Sequence, residues 1–274
     1  DGPIMYNQPD TLTKNIAGAE ILISVHSPQK VVSSYDIMEN IENLMVAQSN
    51  YLGGTLPIKK YAYLIYLMDY PSLSKGMGAL EHSYSSFYTL PESVANQLPQ
   101  FVRDVAAHEF FHIITPLSIH SEQIHNFNYI NPEMSQHLWL YEGVTEYNSM
   151  HMQVHQGLYD NETFLEKVQE KITNASAYPL VSFTEMSQKI LDPAFKDMYR
   201  NVYEKGALIG MCLDLALIKY SEDTLNLVGL LKQLSQKYGK ENAFKDSELI
   251  DVIAAMTYPE IGTFFSRYVQ GNEP

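Results

Sequence analysis

With 274 residues, 45% of them hydrophobic and 18% charged, the chain has enough apolar mass for one large domain or two modest ones. A net charge of −14, with 18 basic against 32 acidic residues, argues against nucleic acid and anionic membranes as partners, because both need clustered Lys and Arg. No apolar run approaches the roughly 20 residues of a membrane span, and the lone Cys212 rules out an intrachain disulfide.

Residues 1–30, with Pro3, Pro9, Gly18 and Pro28, read as irregular chain around one strand, Ile21 to His26. Helical spacing of Ile37, Ile41, Leu44 and Met45 predicts a helix over Tyr35 to Ser49, stopped by Gly53 and Gly54. Tyr61 to Asp69 is β-rich and long enough for a central strand, Pro71 to Gly78 is a turn-rich connection, and Ala79 to Leu90 reads as a second strand. After Pro91 the pattern turns helical. The first helix runs from Leu98 to Thr115, with Pro99 in its first turn and Pro116 ending it. Ile119 to Met134 is a polar loop, Gln136 to Gln156 a second helix, and Asn161 caps a third that runs to about Thr173. Asn174 to Lys196 is irregular with a short helical turn. Helices over Asn201 to Tyr220, Asp223 to Tyr238, Ser247 to Met256 and Pro259 to Val269 complete the chain. Cys212, in the apolar run Ala207 to Leu217, is expected as a small buried hydrophobe. There is no repeat, linker or low-complexity tract. The pattern predicts a single α+β unit, sheet-bearing over 1–95 and helical over 96–274. The start at Asp1, with neither Met nor a leader, is what a piece of a longer precursor would show.

The chemistry concentrates in His108-Glu109-Phe110-Phe111-His112. Histidines four apart on a helix share a face and can both reach one metal ion. The glutamate between them can act as base toward a metal-bound water. The same five residues also read as an ordinary helix with partly buried histidines. A zinc site needs a third protein ligand and an open position for water. Glu142 and Glu146, four apart on the next predicted helix, share a face. Either can bind the metal, and the other can orient a histidine ligand through its free ring N–H. His151 and His155 are also four apart but lack the intervening glutamate and lie in a stretch that reads as exposed. His120, His125 and His137 flank the motif in loops that could line a cleft, and His26 reads as structural or surface.

These residues carry a resemblance. His108-Glu-Phe-Phe-His112, then Trp139-Leu-Tyr-Glu-Gly-Val-Thr-Glu-Tyr147, then Tyr203-Glu-Lys-Gly-Ala207 resemble, in that order, the gluzincin metallopeptidases. The long gap between His112 and Glu142, and Gly78-Ala-Leu-Glu-His-Ser83, are similar to the glycyl-aminopeptidase family rather than to aminopeptidase N. Asp1-Gly-Pro-Ile and Tyr268-Val-Gln-Gly271 fit the edges of that family's catalytic region.

The resemblance implies a thermolysin-like catalytic domain over 1–274, a small mixed sheet whose edge strand lines the cleft, with a helical half. Longer members carry a further β-domain and a PDZ-like domain, for which this chain has no room. It implies one Zn²⁺ per chain held by His108, His112 and Glu142, with Glu146 in the outer shell and Glu109 as base. Tyr203 would stabilise the oxyanion, with Tyr199 one turn earlier as its competitor. Glu81 would pair with the substrate's free α-amine, and backbone from Gly76 to Leu80, including Gly78 and Ala79, would hold an extended peptide. The activity implied is removal of the N-terminal residue from peptides. A zinc endopeptidase with the same machinery, or a silent metal-binding interaction module, are the alternatives. Family members have a basic residue after Glu-His where this chain has Ser83-Tyr84, and a preference for small first residues would depend on that region. Bacterial members are often exported, which points to the periplasm or cell envelope.

Overall fold

The computed structural model describes residues 4–6, 8, 10–69, 77–92 and 98–274. The expected connection over residues 71–76, the opening Asp1-Gly2-Pro3 and the Gly76 backbone lie outside the described residues. Contacts divide the chain into two compact units, Asp1–Ile113 with Ser149–Asp160, and Ile114–Asn148 with Asn161–Pro274.

The first unit is built on strands β1 (Asp10–Ile16) and β2 (Ala19–His26), helix α1 (Ser34–Tyr51), strands β3 (Lys60–Met68), β4 (Gly78–His82) and β5 (Ser85–Pro91), and helix α2 (Leu98–Phe111). The sheet order is β1-β2-β3-β5-β4. The central pairs β2–β3 and β3–β5 are parallel, and the outer pairs β1–β2 and β5–β4 are antiparallel. Along β3, Tyr61, Tyr63, Ile65 and Leu67 are buried while Ala62 and Leu64 are half-buried, the period-two pattern of a sheet with one face on a core. Ile37, Ile41, Leu44 and Met45 of α1 are fully buried in that core. Ser33 opens α1 with a capping box to Asp36, and Gln48 Nε2 donates to the Ala107 carbonyl at 3.3 Å, tying α1 to α2.

Three expectations change in this unit. β1 forms where irregular chain was expected. Its turn to β2 has Ala17 at φ 49° and Gly18 at φ 83°, both left-handed, as a two-residue type I′ hairpin requires. The single strand over 79–90 is a hairpin, with β4 and β5 joined by Ser83 and Tyr84. And α2 ends at Phe111 instead of Thr115: Ile113 N bonds back three residues to the Phe110 carbonyl, and residues preceding Pro116 are biased away from helix.

The second unit holds α3 (Glu122–His125), a π-helical turn over Trp139–Val144, the start of α4 (Thr145–His155), then α5 (Asn161–Ala175), α6 (Phe183–Gln188), α7 (Asn201–Tyr220), α8 (Leu227–Lys237), α9 (Leu249–Met256) and α10 (Pro259–Tyr268). The predicted helix over 136–156 therefore begins as a π turn, and the predicted loop over 119–134 contains one short helix. α7 is the central element, packed by α5, α8, α10 and the π turn. Leu213, Leu217, Leu230, Ile253, Ile261 and Phe265 fill the core between them. Cys212, expected inside, lies on the outward stripe of α7 and is exposed. None of the helices among the described residues is long and apolar enough to cross a membrane.

One buried charge ties this helical core. Asp214, 4% exposed, accepts from Tyr147 Oη at 2.6 Å and from the Leu227 backbone N–H at 2.7 Å, so one carboxylate bridges α4, α7 and the start of α8. Replacing it with alanine strands both donors in the core. Asp214→Ala should cost about 3 kcal/mol, measured as a drop in the urea midpoint with little change in slope.

Candidate functional site

Within the first unit, α2 presents His108 and Glu109, and His112 follows in the tightened turn after Phe111. Val102, Ala106 and Phe110 are buried along one stripe of this helix, which fixes its rotation on the sheet. His108, Glu109 and His112 are 8%, 7% and 2% exposed. The two Nε2 atoms converge to 3.1 Å, with the rings at 80°. Two imidazole nitrogens on one tetrahedral zinc at 2.0–2.1 Å stand about 3.3 Å apart, so the pair suits zinc. Glu81, on the edge strand β4, faces the same way. It stands opposite Ser86 of β5, and one ligand atom each from Glu81, Glu109 and His112 lies within 4.8 Å of the others. Gly78 and Ala79 pair with Thr89 and Tyr88 at the other end of β4.

The second unit holds the other sequence-derived residues. Glu142 is half-buried on the π turn, a local widening that recurs at functional positions in helices. The next residue, Gly143, meets Gly206 of α7 backbone to backbone. A Cβ on Gly143 would lie 2.5 Å from the Gly206 carbonyl carbon, and one on Gly206 would lie 2.9 Å from Gly143 Cα. Tyr203 is one turn before Gly206, half-buried against the core, with its hydroxyl 3.5 Å from that of Tyr199. Glu146 Oε1 accepts from Lys171 Nζ at 2.7 Å, and Lys171 also lies 3.6 Å from Glu204, which pairs with Arg200 at 3.1 Å. This chain of charges joins α4, α5 and α7.

The approach to the π turn is a buried polar network. Asp246 accepts from Ser135 Oγ at 2.5 Å and from the Gln136 backbone at 2.7 Å. Trp139 Nε1 donates to His137 Nδ1 at 3.0 Å, so the imidazole proton sits on Nε2, 2.7 Å from the Asp246 carbonyl. His137, expected in a loop at a cleft, is thus a core residue at 1% exposure. His120 is also buried, bonded to the Pro116 carbonyl and stacked on His125. Of the pair expected in an exposed stretch, His155 is exposed, but His151 is half-buried, with Tyr51 Oη at 2.9 Å from its Nδ1, and the intervening Met152 and Gln153 are buried. His26 stacks on Tyr66 at 4.6 Å. Lys171 and the Gly143–Gly206 contact were not singled out from sequence. The only signal for the contact was a glycine beside each of two motif residues.

Residues 101–209 match the M61 glycyl aminopeptidase family. The resemblance read from the motifs therefore stands. The matched stretch contains His108, Glu109, His112, Glu142, Glu146 and Tyr203, but not the segment around Glu81 or the two chain ends. Among solved structures, the chain is similar to an aminopeptidase N family protein from Idiomarina loihiensis, at 21% identity and a TM-score of 0.78, over 97% of this chain and 47% of that one. It is also similar to an M1 zinc metallopeptidase from Deinococcus radiodurans, a mutant with a Tyr-Ser-Ala substrate bound, at 16% identity and a TM-score of 0.62, over 97% and 53%. The chain spans about half the length of these relatives. They share its fold, a small mixed sheet with a helical C-terminal half. No curated protein matches the chain.

Two outcomes follow from this geometry. Gly143→Ala forces a methyl group into the Gly206 backbone, and should destabilise the protein by about 3 kcal/mol or more, read from thermal melting. The second concerns pH. Burial lowers the His137 pKa below its ordinary 6.5, against the raising effect of Asp246. Unfolded chain binds that proton more readily, so the histidine adds stability that is complete above pH 6.5 and is lost as pH falls from there through the lowered folded value. His120, also lowered by burial, acts in the same sense. The urea midpoint of metal-free protein should fall between about pH 7 and pH 5.5, with a shallower slope in His137→Asn.

Proposed function

We propose that this chain is the catalytic part of a zinc aminopeptidase that hydrolyses the first peptide bond of peptides with a free N-terminus. The observation that carries the reading is the grouping of Glu81, Glu109 and His112 ligand atoms within 4.8 Å. A substrate ammonium bonded to a carboxylate sits about 2.8 Å from it, and its own carbonyl carbon is about 2.5 Å further along the chain. That reach equals one residue, so an amine held at Glu81 would put the first carbonyl beside Glu109 and the histidines.

His108, His112 and Glu142 would hold the metal, with Glu146 supporting the histidines from outside, as in a thermolysin-like catalytic domain. Zinc bound there would polarise the carbonyl and lower the pKa of a water to about 7. Glu109 takes the proton from the attacking water and delivers it to the leaving amine. Tyr203 donates its hydroxyl proton in a hydrogen bond to the oxygen that gains charge. Glu81 neutralises the α-ammonium, and the backbone of β4 around Gly78 and Ala79 aligns the peptide as an added strand.

The test compares one peptide with a free and with an acetylated N-terminus. Wild-type protein loaded with zinc should cleave the free peptide and lose at least about 100-fold in kcat/KM on the blocked one, the scale of a buried charge pair lost. Glu81→Ala should erase most of that difference by slowing the free peptide. Glu109→Gln should keep its zinc and cleave neither. Equal rates on both peptides in wild type would mean an endopeptidase.

A further inference from the structure

Helix α7 has a second working face. Gly206 and Gly210 lie on the stripe that meets the π turn and Tyr147. Lys205, Leu208 and Cys212, spaced as one stripe of a helix, line a cavity of about 600 Å³ with Ile172 of α5, Leu180 beyond it and Phe264 of α10. The cavity lies wholly within the second unit. Its volume is that of a small-molecule site, and such sites are apolar walls carrying a few polar groups. Ile172 and Leu180 are 47% and 56% exposed, so apolar wall faces water here, at a cost that an apolar occupant would recover.

Among the described residues that line the cavity, Lys205 alone is charged. It is half-buried, and its Nζ reaches only the Glu273 backbone carbonyl, at 3.5 Å. The Glu273 carboxylate is taken by Arg267 at 2.6 Å. Lys171 of α5, half-buried like Lys205, has Glu146 at 2.7 Å; Lys205 has no carboxylate among the described residues. Burial lowers its pKa, as it does for an ammonium that has lost water and gained no counter-charge. We propose that this cavity binds an amphipathic monocarboxylate of the fatty-acid class, with its alkyl tail against Leu208, Cys212 and Ile172 and its carboxylate on Lys205. The carboxylate supplies the charge-assisted hydrogen bond that the ammonium lacks, and the tail covers the exposed wall. The inference does not rest on the aminopeptidase reading, because Leu208 is two residues, about 200° of helical rotation, from Gly206 and the stripe that meets the π turn.

Cys212 is the only cysteine of the chain and lines the cavity, so the rate at which a maleimide alkylates it reports occupancy at this place. Dodecanoate, kept below the concentration at which it forms micelles, should slow that rate saturably in wild type, and dodecyltrimethylammonium should not. Lys205→Met should weaken dodecanoate at least about tenfold, the scale of a hydrogen bond to a charged group, and leave the weaker protection by dodecanol unchanged. Lys205→Arg should keep dodecanoate binding within about threefold, since the charge and the donors remain. Alkylation indifferent to dodecanoate overturns the proposal. So does equal protection by dodecanoate and dodecyltrimethylammonium, or of wild type and Lys205→Met, either of which would mean a bare apolar groove. Alkylation that slows with protein concentration alone would mean that a second copy of the chain covers this face, and overturns it as well. If Lys205→Met does not fold, the two amphiphiles of opposite charge decide the matter on wild type.

Discussion

Two backbones meet at Gly143 and Gly206 with no room for a side chain between them, and this approach sets the geometry of the second unit. Close contact between helices is limited by their Cβ atoms. Removing that limit on both sides brings the Glu142 turn against α7, one turn from Tyr203. The neighbouring crossings continue the pattern: a Cβ on Gly210 would lie 3.1 Å from Tyr147 Cβ. Around this seam the polar groups are pinned from several directions. Asp214 bridges three helices, and Lys171 links Glu146 to Glu204, the residue after Tyr203. Packing sets the spacing here, and the buried charges then fix which residues face each other across it.

The first unit faces the opposite problem, since it concentrates like charges where little water can screen them. Glu81 and Glu109 approach within 4.8 Å beside a buried histidine. At that distance, two carboxylates repel by about 3–4 kcal/mol at an effective dielectric of 20. A cation beside them would relieve that cost, as the metal and the substrate ammonium of the proposed function would. Tyr63, Tyr88 and Phe110, on the strands and helix that carry this site, are fully buried.

How much of this was legible in the sequence depended on how local each signal is. His108, Glu109 and His112 could be read together because one helical turn fixes their relation, whatever the rest of the chain does. The helix over Asn201–Tyr220 was legible for the same reason, its apolar positions recurring every three or four residues. The β4–β5 hairpin was not, because Ser83 and Tyr84 carry none of the glycine or asparagine signal of a two-residue turn. β1 was missed because it is largely exposed, so Asp10–Ile16 lacks the apolar alternation that marks a strand. The π turn shifts its register by one residue and leaves composition untouched, so no periodicity reveals it. His137 and Lys171 owe their importance to partners far away in sequence, and a single chain read in order has no access to those.

β4 is an outer strand, and among the described residues no strand pairs with its free edge. Met77, Leu80 and Tyr84, along this strand and its turn, are 66%, 56% and 55% exposed. An open, apolar edge invites unwanted pairing, and proteins ordinarily blunt it with charge, proline or a bulge. Glu81 is the only charge on this strand, and it points to the helix-bearing face, where it joins Glu109. Among the described residues the edge therefore lacks the usual protection, which would exclude an extended peptide. A strand that must accept a substrate backbone has to leave its own N–H and C=O groups unpaired until one arrives. On the proposed reading, the exposure of β4 and the inward turn of Glu81 are one adaptation: the edge sets the peptide's direction and the carboxylate sets how far it goes.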